Sequence, residues 1–186
     1  MPLPMNTHTL QLISTAGALL CASVGSVQDL RERRIPNNVT GPAIVAGLML
    51  HTATGGFRGM GDAALAGAIA GALALIFWFA GGMGGGDVKL MAAVGCIAGL
   101  APLRLLLFAT AIAGAAFAIA VSLRHGRLRE TLANVIALLQ HHGRQGIKPH
   151  PDLNLSNPRA LRLPFALPVA AGCLFTLCTL AWEVRS

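Results

Sequence analysis

Apolar runs long enough to cross a bilayer, joined by short polar connections, fill this chain and leave it few ways to fold. The runs lie at about 10–28, 39–57, 63–80, 87–101, 104–123 and 163–182. A helix needs about 20 apolar residues to cross about 30 Å of hydrocarbon. Six such helices with their connections use nearly all of the 186 residues. A single membrane-embedded domain over 1–186 is therefore expected, with no room for a separate soluble one. Val39–Leu50 and Met91–Leu100 fall short of a full hydrocarbon thickness, so they either recruit their flanks or lie buried among other helices. With 54% apolar and only 11% charged residues, a water-soluble globule would lack the polar surface to cover itself.

The distribution of charge gives the expected sidedness, because Lys and Arg near span ends stay on the cytoplasmic side. One set of alternate loops holds eleven of the fourteen cations: Arg31, Arg33, Arg34, Lys89, Arg124, Arg127, Arg129, Arg144, Lys148, Arg159 and Arg162. The other set holds Arg58, Arg104 and Arg185. An even number of spans then places both termini outside the cytoplasm. Trp78 and Trp182 fall near span ends, where interfacial aromatics belong. The first run has no Lys or Arg before it and a cluster after it, the reverse of a secretory signal, so it reads as a retained span. The net charge of +7 follows from this topology and not from nucleic-acid binding, since no stacking aromatics are interleaved with the cations.

Within the long loop 124–162, residues Thr131–Gln140 carry Leu132, Val135, Ile136 and Leu139 at helical spacing between basic flanks. A short interfacial helix lying on membrane lipid before the last span is expected here. The competing arrangement is a plain helix packed on the bundle. His141, His142 and His150 follow without a carboxylate or cysteine at ligand spacing, so no metal site is expected. Cys21, Cys96, Cys173 and Cys178 all sit in apolar runs and contain no Cys-x-x-Cys pair, which suits packing.

Only seven residues are acidic, and an acid close to hydrocarbon is costly enough to presume a function. Asp29 closes the first run, and Asp87 opens the fourth after Gly84-Gly85-Gly86. The charge partition puts both on the cytoplasmic side, where they meet if the first and fourth helices pack together. Two adjacent carboxylates can hydrolyse a peptide bond without metal or cofactor: the ionised one takes a proton from water and the protonated one polarises the scissile carbonyl. Glycines before Asp87 let an extended substrate backbone approach. Lys89 stands ready to bias Asp87 toward ionisation, to contact substrate, or to snorkel as an anchor.

Structural roles compete with this reading. Asp87 has the position of a helix N-cap, and Asp29 has Arg33 at helical spacing. Gly59-Met60-Gly61-Asp62 repeats the same four-residue pattern, but Asp62 shares the opposite side with Arg58 and is expected to cap the third span. Neither His-Glu-x-x-His nor Gly-x-Ser-x-Gly is present.

The strings Asp29-Leu30-Arg31 with Arg34-Ile35-Pro36-Asn37, Gly84-Gly85-Gly86-Asp87-Val88-Lys89-Leu90, and Leu163-Pro164-Phe165-Ala166-Leu167-Pro168 together resemble the type IV prepilin peptidase family over about residues 8–182. The resemblance implies a membrane aspartic endopeptidase of the inner (plasma) membrane, with Asp29 and Asp87 catalytic. Its partner would be a pilin-like precursor, cut after a glycine at the cytoplasmic face to release a basic leader from a hydrophobic helix. The cysteine-rich insertion of the larger methylating members is missing, so methyl transfer is not implied. The small size resembles the peptidases of tight-adherence (Flp-type) pilus systems or a preflagellin peptidase. Two other classes compete: a small transporter or channel, which calls for acids within spans, and a non-catalytic assembly factor, which would tolerate loss of either acid.

Overall fold

The computed structural model describes residues 6–32, 34–148, 150, 151, 153 and 164–185. Among them the chain is helical throughout, with α1 (Thr7–Glu32), α2 (Asn37–Phe79), α3 (Gly85–Ala98), α4 (Leu100–Arg124), α5 (Leu128–Gln145) and α6 (Ala166–Glu183). Helices α1, α2, α4 and α6 are each long and apolar enough to cross a membrane. In lipid this is the solution the backbone demands, because an apolar helix satisfies its own N–H and C=O groups. The outward faces bear large apolar side chains such as Leu20, Met49, Phe108 and Phe175.

Helix α2 is a hairpin. Its 43 residues are interrupted at Gly56, whose φ of 62° and ψ of −149° are non-helical, in a region that glycine enters without steric cost. Along an unbroken helix, Gly47 and Gly67 would stand about 30 Å apart. Both instead lie against Cys96 of α3, and Gly59 abuts the carbonyl of His51. The break therefore comes at Gly56, earlier than the polar stretch around 58–62 suggests, and helix resumes at once. Asp62 consequently lies inside the second limb and does not cap it. Local hydropathy marks the polar stretch, but the backbone folds where a glycine can take a positive φ.

Helix α3 is clasped between the two limbs. At 14 residues it extends only about 21 Å, and Leu90, Met91 and the unbroken run Ala93–Ala98 are buried. It is thus a helix enclosed by others, which explains how so short an apolar run fits in the bundle. Small residues permit the clasp: a Cβ on Gly95 would lie 2.7 Å from the Ala66 carbonyl oxygen, and one on Gly47 would lie 2.8 Å from the Cys96 backbone. Between apolar helices in lipid, such close backbone approach is a principal source of association.

Helix α1 packs against α3 and α6, and α6 also packs against α4. Gly99, with φ 80° and ψ 176°, turns the chain from α3 directly into α4. Cys21, Cys96 and Cys173 are free and buried within this core, while Cys178 is free and exposed. Helix α5 has no buried residue and touches α4 alone among the helices.

Candidate active site

Three contacts set the register between α1 and α3. Ser14 Oγ donates to the Ala98 carbonyl at 3.1 Å. A Cβ on Gly17 would lie 3.2 Å from Ile97 Cγ2, and one on Gly25 would lie 3.0 Å from Leu90 Cδ1. As α1 advances, α3 therefore runs backwards beside it. One turn beyond Gly25 on α1 stands Asp29, and three residues before Leu90 on α3 stands Asp87. Antiparallel packing thus delivers the two acids to the same end of the bundle, where the charge on Asp29 acts on Asp87.

Asp87 occupies the third position of α3, not the N-cap, which is Gly84. Its Oδ2 accepts the Gly84 N–H at 3.2 Å, satisfying one of the donors that a helix N-terminus leaves unpaired. Among the described residues Oδ1 has no hydrogen-bond partner. Burial raises Asp87 from the ordinary 3.8 to about 6; the Gly84 N–H opposes this rise and the Asp29 charge adds to it. A carboxyl in this condition can hold a proton near neutral pH.

Asp29 lies in the last turn of α1 and is less enclosed than Asp87. Burial raises its carboxyl above the ordinary 3.8, and the backbone N–H of Ala166, the first residue of α6, opposes that rise. That N–H is again one of the donors that a helix start leaves unpaired. The two acids therefore sit in unequal surroundings: burial raises both, and Asp87 is the more enclosed.

The glycines differ in what they do. A Cβ on Gly84 would lie 3.1 Å from Asp87 Oδ2, and one on Gly86 would lie 3.2 Å from Ile35 Cβ and 3.4 Å from its backbone N, whereas the nearest atom for Gly85 is Trp78 Nε1 at 3.8 Å. Gly86 thus lets the head of α3 seat against buried Ile35. Lys89 does not engage Asp87; its Nζ donates to Asn37 Oδ1 at 2.8 Å, tying α3 to the first residue of α2. Ile35, Asn37 and Ala166 all lie in the strings that mark the family resemblance, yet nothing in their spacing assigns them these contacts.

Asp62 lies elsewhere. It lines a cavity of about 340 Å³ with Thr7 and Ser14 of α1, His51 of α2 and Gly99 after α3, at the end of the bundle opposite to Asp29 and Asp87. The rings of His141, His142 and His150 cluster, with His141 4.8 Å from His150 and 5.4 Å from His142. Among the described residues no group of three or more His, Cys, Asp or Glu could hold a metal ion. Arg33, considered above as a partner for Asp29, and Leu163 lie outside the described residues.

Fold and site together define an all-helical, multi-pass membrane protein with two carboxyl groups in electrostatic contact at one end of its bundle. Residues 16–119, more than half of the chain and a stretch that includes both acids, match the type IV leader peptidase family. The chain belongs to that family, and it is a peptidase of that kind. No curated protein and no solved structure matches it.

Proposed function

We propose that this protein is an aspartic endopeptidase that removes the short basic leader from type IV pilin-like precursors, of the Flp type, at the cytoplasmic face of the inner membrane. The observation that carries the proposal is the antiparallel α1–α3 contact, which brings Asp29 and Asp87 to the same end of the bundle, where the charge of Asp29 bears on Asp87. The eleven-to-three partition of cations supports a cytoplasmic location for that end of the bundle.

Asp29, the less enclosed of the two and ionised, takes a proton from water as the water oxygen attacks the scissile carbonyl carbon. Asp87, protonated, donates its proton to the carbonyl oxygen. The tetrahedral species collapses as Asp29 passes its proton to the leaving amine nitrogen and the C–N bond breaks, while Asp87 recovers a proton from the reforming carboxyl. Proton sharing between two close carboxyls supplies both the base and the acid. A precursor whose leader precedes a hydrophobic helix brings its scissile bond to the membrane interface, where the pair lies. Gly84 and Gly86 shape the approach, and Lys89 holds α3 in position through Asn37.

Cleavage of a co-expressed Flp-type precursor by wild type and by Asp29→Asn, Asp87→Asn and Asp62→Asn tests the assignment. Wild type and Asp62→Asn cut, and the other two do not. Cutting by either variant of the pair would overturn it.

A further inference from the structure

Helix α5 is not among the candidate spans, yet the described residues leave its apolar stripe exposed. Leu132, Val135, Ile136 and Leu139 are between 46% and 70% exposed, and α5 meets only α4, at the turn that joins them. It is not a plain helix packed on the bundle. Its departure from α4 is built: Gly126 takes a φ of 66°, Ser122 and Thr131 share a hydroxyl hydrogen bond of 2.9 Å, and Arg127 pairs with Glu130 at 2.6 Å. The turn thus holds the helix away from the bundle.

We infer that α5 lies in the headgroup region of an anionic lipid surface, with its apolar stripe against the acyl boundary and its cations on lipid phosphates. Two observations select this occupant. The first is charge. Glu130 is neutralised by Arg127, while Arg124, Arg129, Arg144 and Lys148 make no ion pair among the described residues, so the helix and its flanks carry an uncompensated positive charge suited to acidic headgroups. The second is continuity. The lipid-facing side of α4, with Phe108, Ile112, Ile119 and Leu123 exposed, runs down to the turn, and the uncovered stripe of α5 begins just beyond it. At 18 residues the helix extends about 27 Å along the surface. This inference does not depend on the peptidase reading.

The test is amide hydrogen exchange over 128–145 in the full-length protein, reconstituted in nanodiscs of phosphatidylcholine alone or with phosphatidylglycerol. Exchange in α5 should be slower by roughly tenfold or more in the anionic discs. Leu132→Ser/Leu139→Ser should abolish the slowing, and Arg129→Gln/Arg144→Gln/Lys148→Gln should remove the difference between lipids. Equal exchange in both lipids, or slowing that survives the serine variant, overturns the inference. So does protection that requires a second copy in the disc or added precursor, since the stripe would then belong to a protein partner. Asp87→Asn should leave the exchange pattern unchanged while abolishing cleavage, so failure of the lipid inference and failure of the peptidase reading are separable.

Discussion

Lys89 donates to Asn37 across 52 positions of sequence and not to the carboxyl of Asp87 two residues away. The cation beside the acid pair is therefore engaged in holding α3 to the head of α2, and Asp87 keeps its proton by enclosure without a compensating charge.

Disruption of this tie should act through position. Lys89→Met and Asn37→Ala should each lower kcat by roughly two- to tenfold, and the double variant should lose little more, since two changes to one contact are not additive. The pH profile should keep its shape. Additive losses in a double-mutant cycle would show that the two side chains work separately.

Three adjacent glycines should respond differently to one methyl group. Gly85→Ala should remain near wild type, because its nearest neighbour is 3.8 Å away. Gly84→Ala should push against the Asp87 carboxyl at 3.1 Å, and Gly86→Ala against Ile35 at 3.2 Å. Both should lose roughly tenfold or more of activity, since a small misplacement of a catalytic group is expensive. Single-turnover cleavage assays rank the three directly.

The raised Asp87 value makes two linked predictions. Cleavage should decline as pH rises through about 6, where Asp87 gives up its proton. Stability should move the same way: a carboxyl whose folded pKa lies above its ordinary 3.8 favours the fold fully only below that value, and the benefit is lost as pH rises through about 6. Asp87→Asn should therefore unfold later than wild type at pH 8, by at most about 3 kcal/mol, while being inactive. Equal thermal stability of the two at pH 8 would contradict the burial argument. In Asp29→Asn, the Asp87 titration followed by infrared spectroscopy should move downward, because the repelling charge is gone.

At the opposite end, Gly99→Ala should be clearly destabilising. The residue has a φ of 80°, and a Cβ there would lie 2.6 Å from His51 Cε1, whose Nε2 is fixed on the Ile97 carbonyl at 3.0 Å. Gly126→Ala shares the positive φ but has open space, so it should cost about 1 kcal/mol and Gly99→Ala clearly more. Thermal unfolding in detergent distinguishes them.

Much of this protein follows from its sequence alone, because lipid imposes a one-dimensional rule: an apolar run of sufficient length becomes a helix, and an acid at its end is costly and conspicuous. The all-helical membrane class was legible on that basis, and the family on the strings around Asp29, Asp87 and 163–168. Tertiary structure alone decided the break at Gly56, the enclosure of α3, the place of Asp87 at the third helical position, the engagement of Lys89 by Asn37, and the bearing of the Asp29 charge on Asp87. Each depends on the register between helices far apart in the chain, and hydropathy, a property of one segment and its solvent, carries no information about which residues of two such helices come face to face.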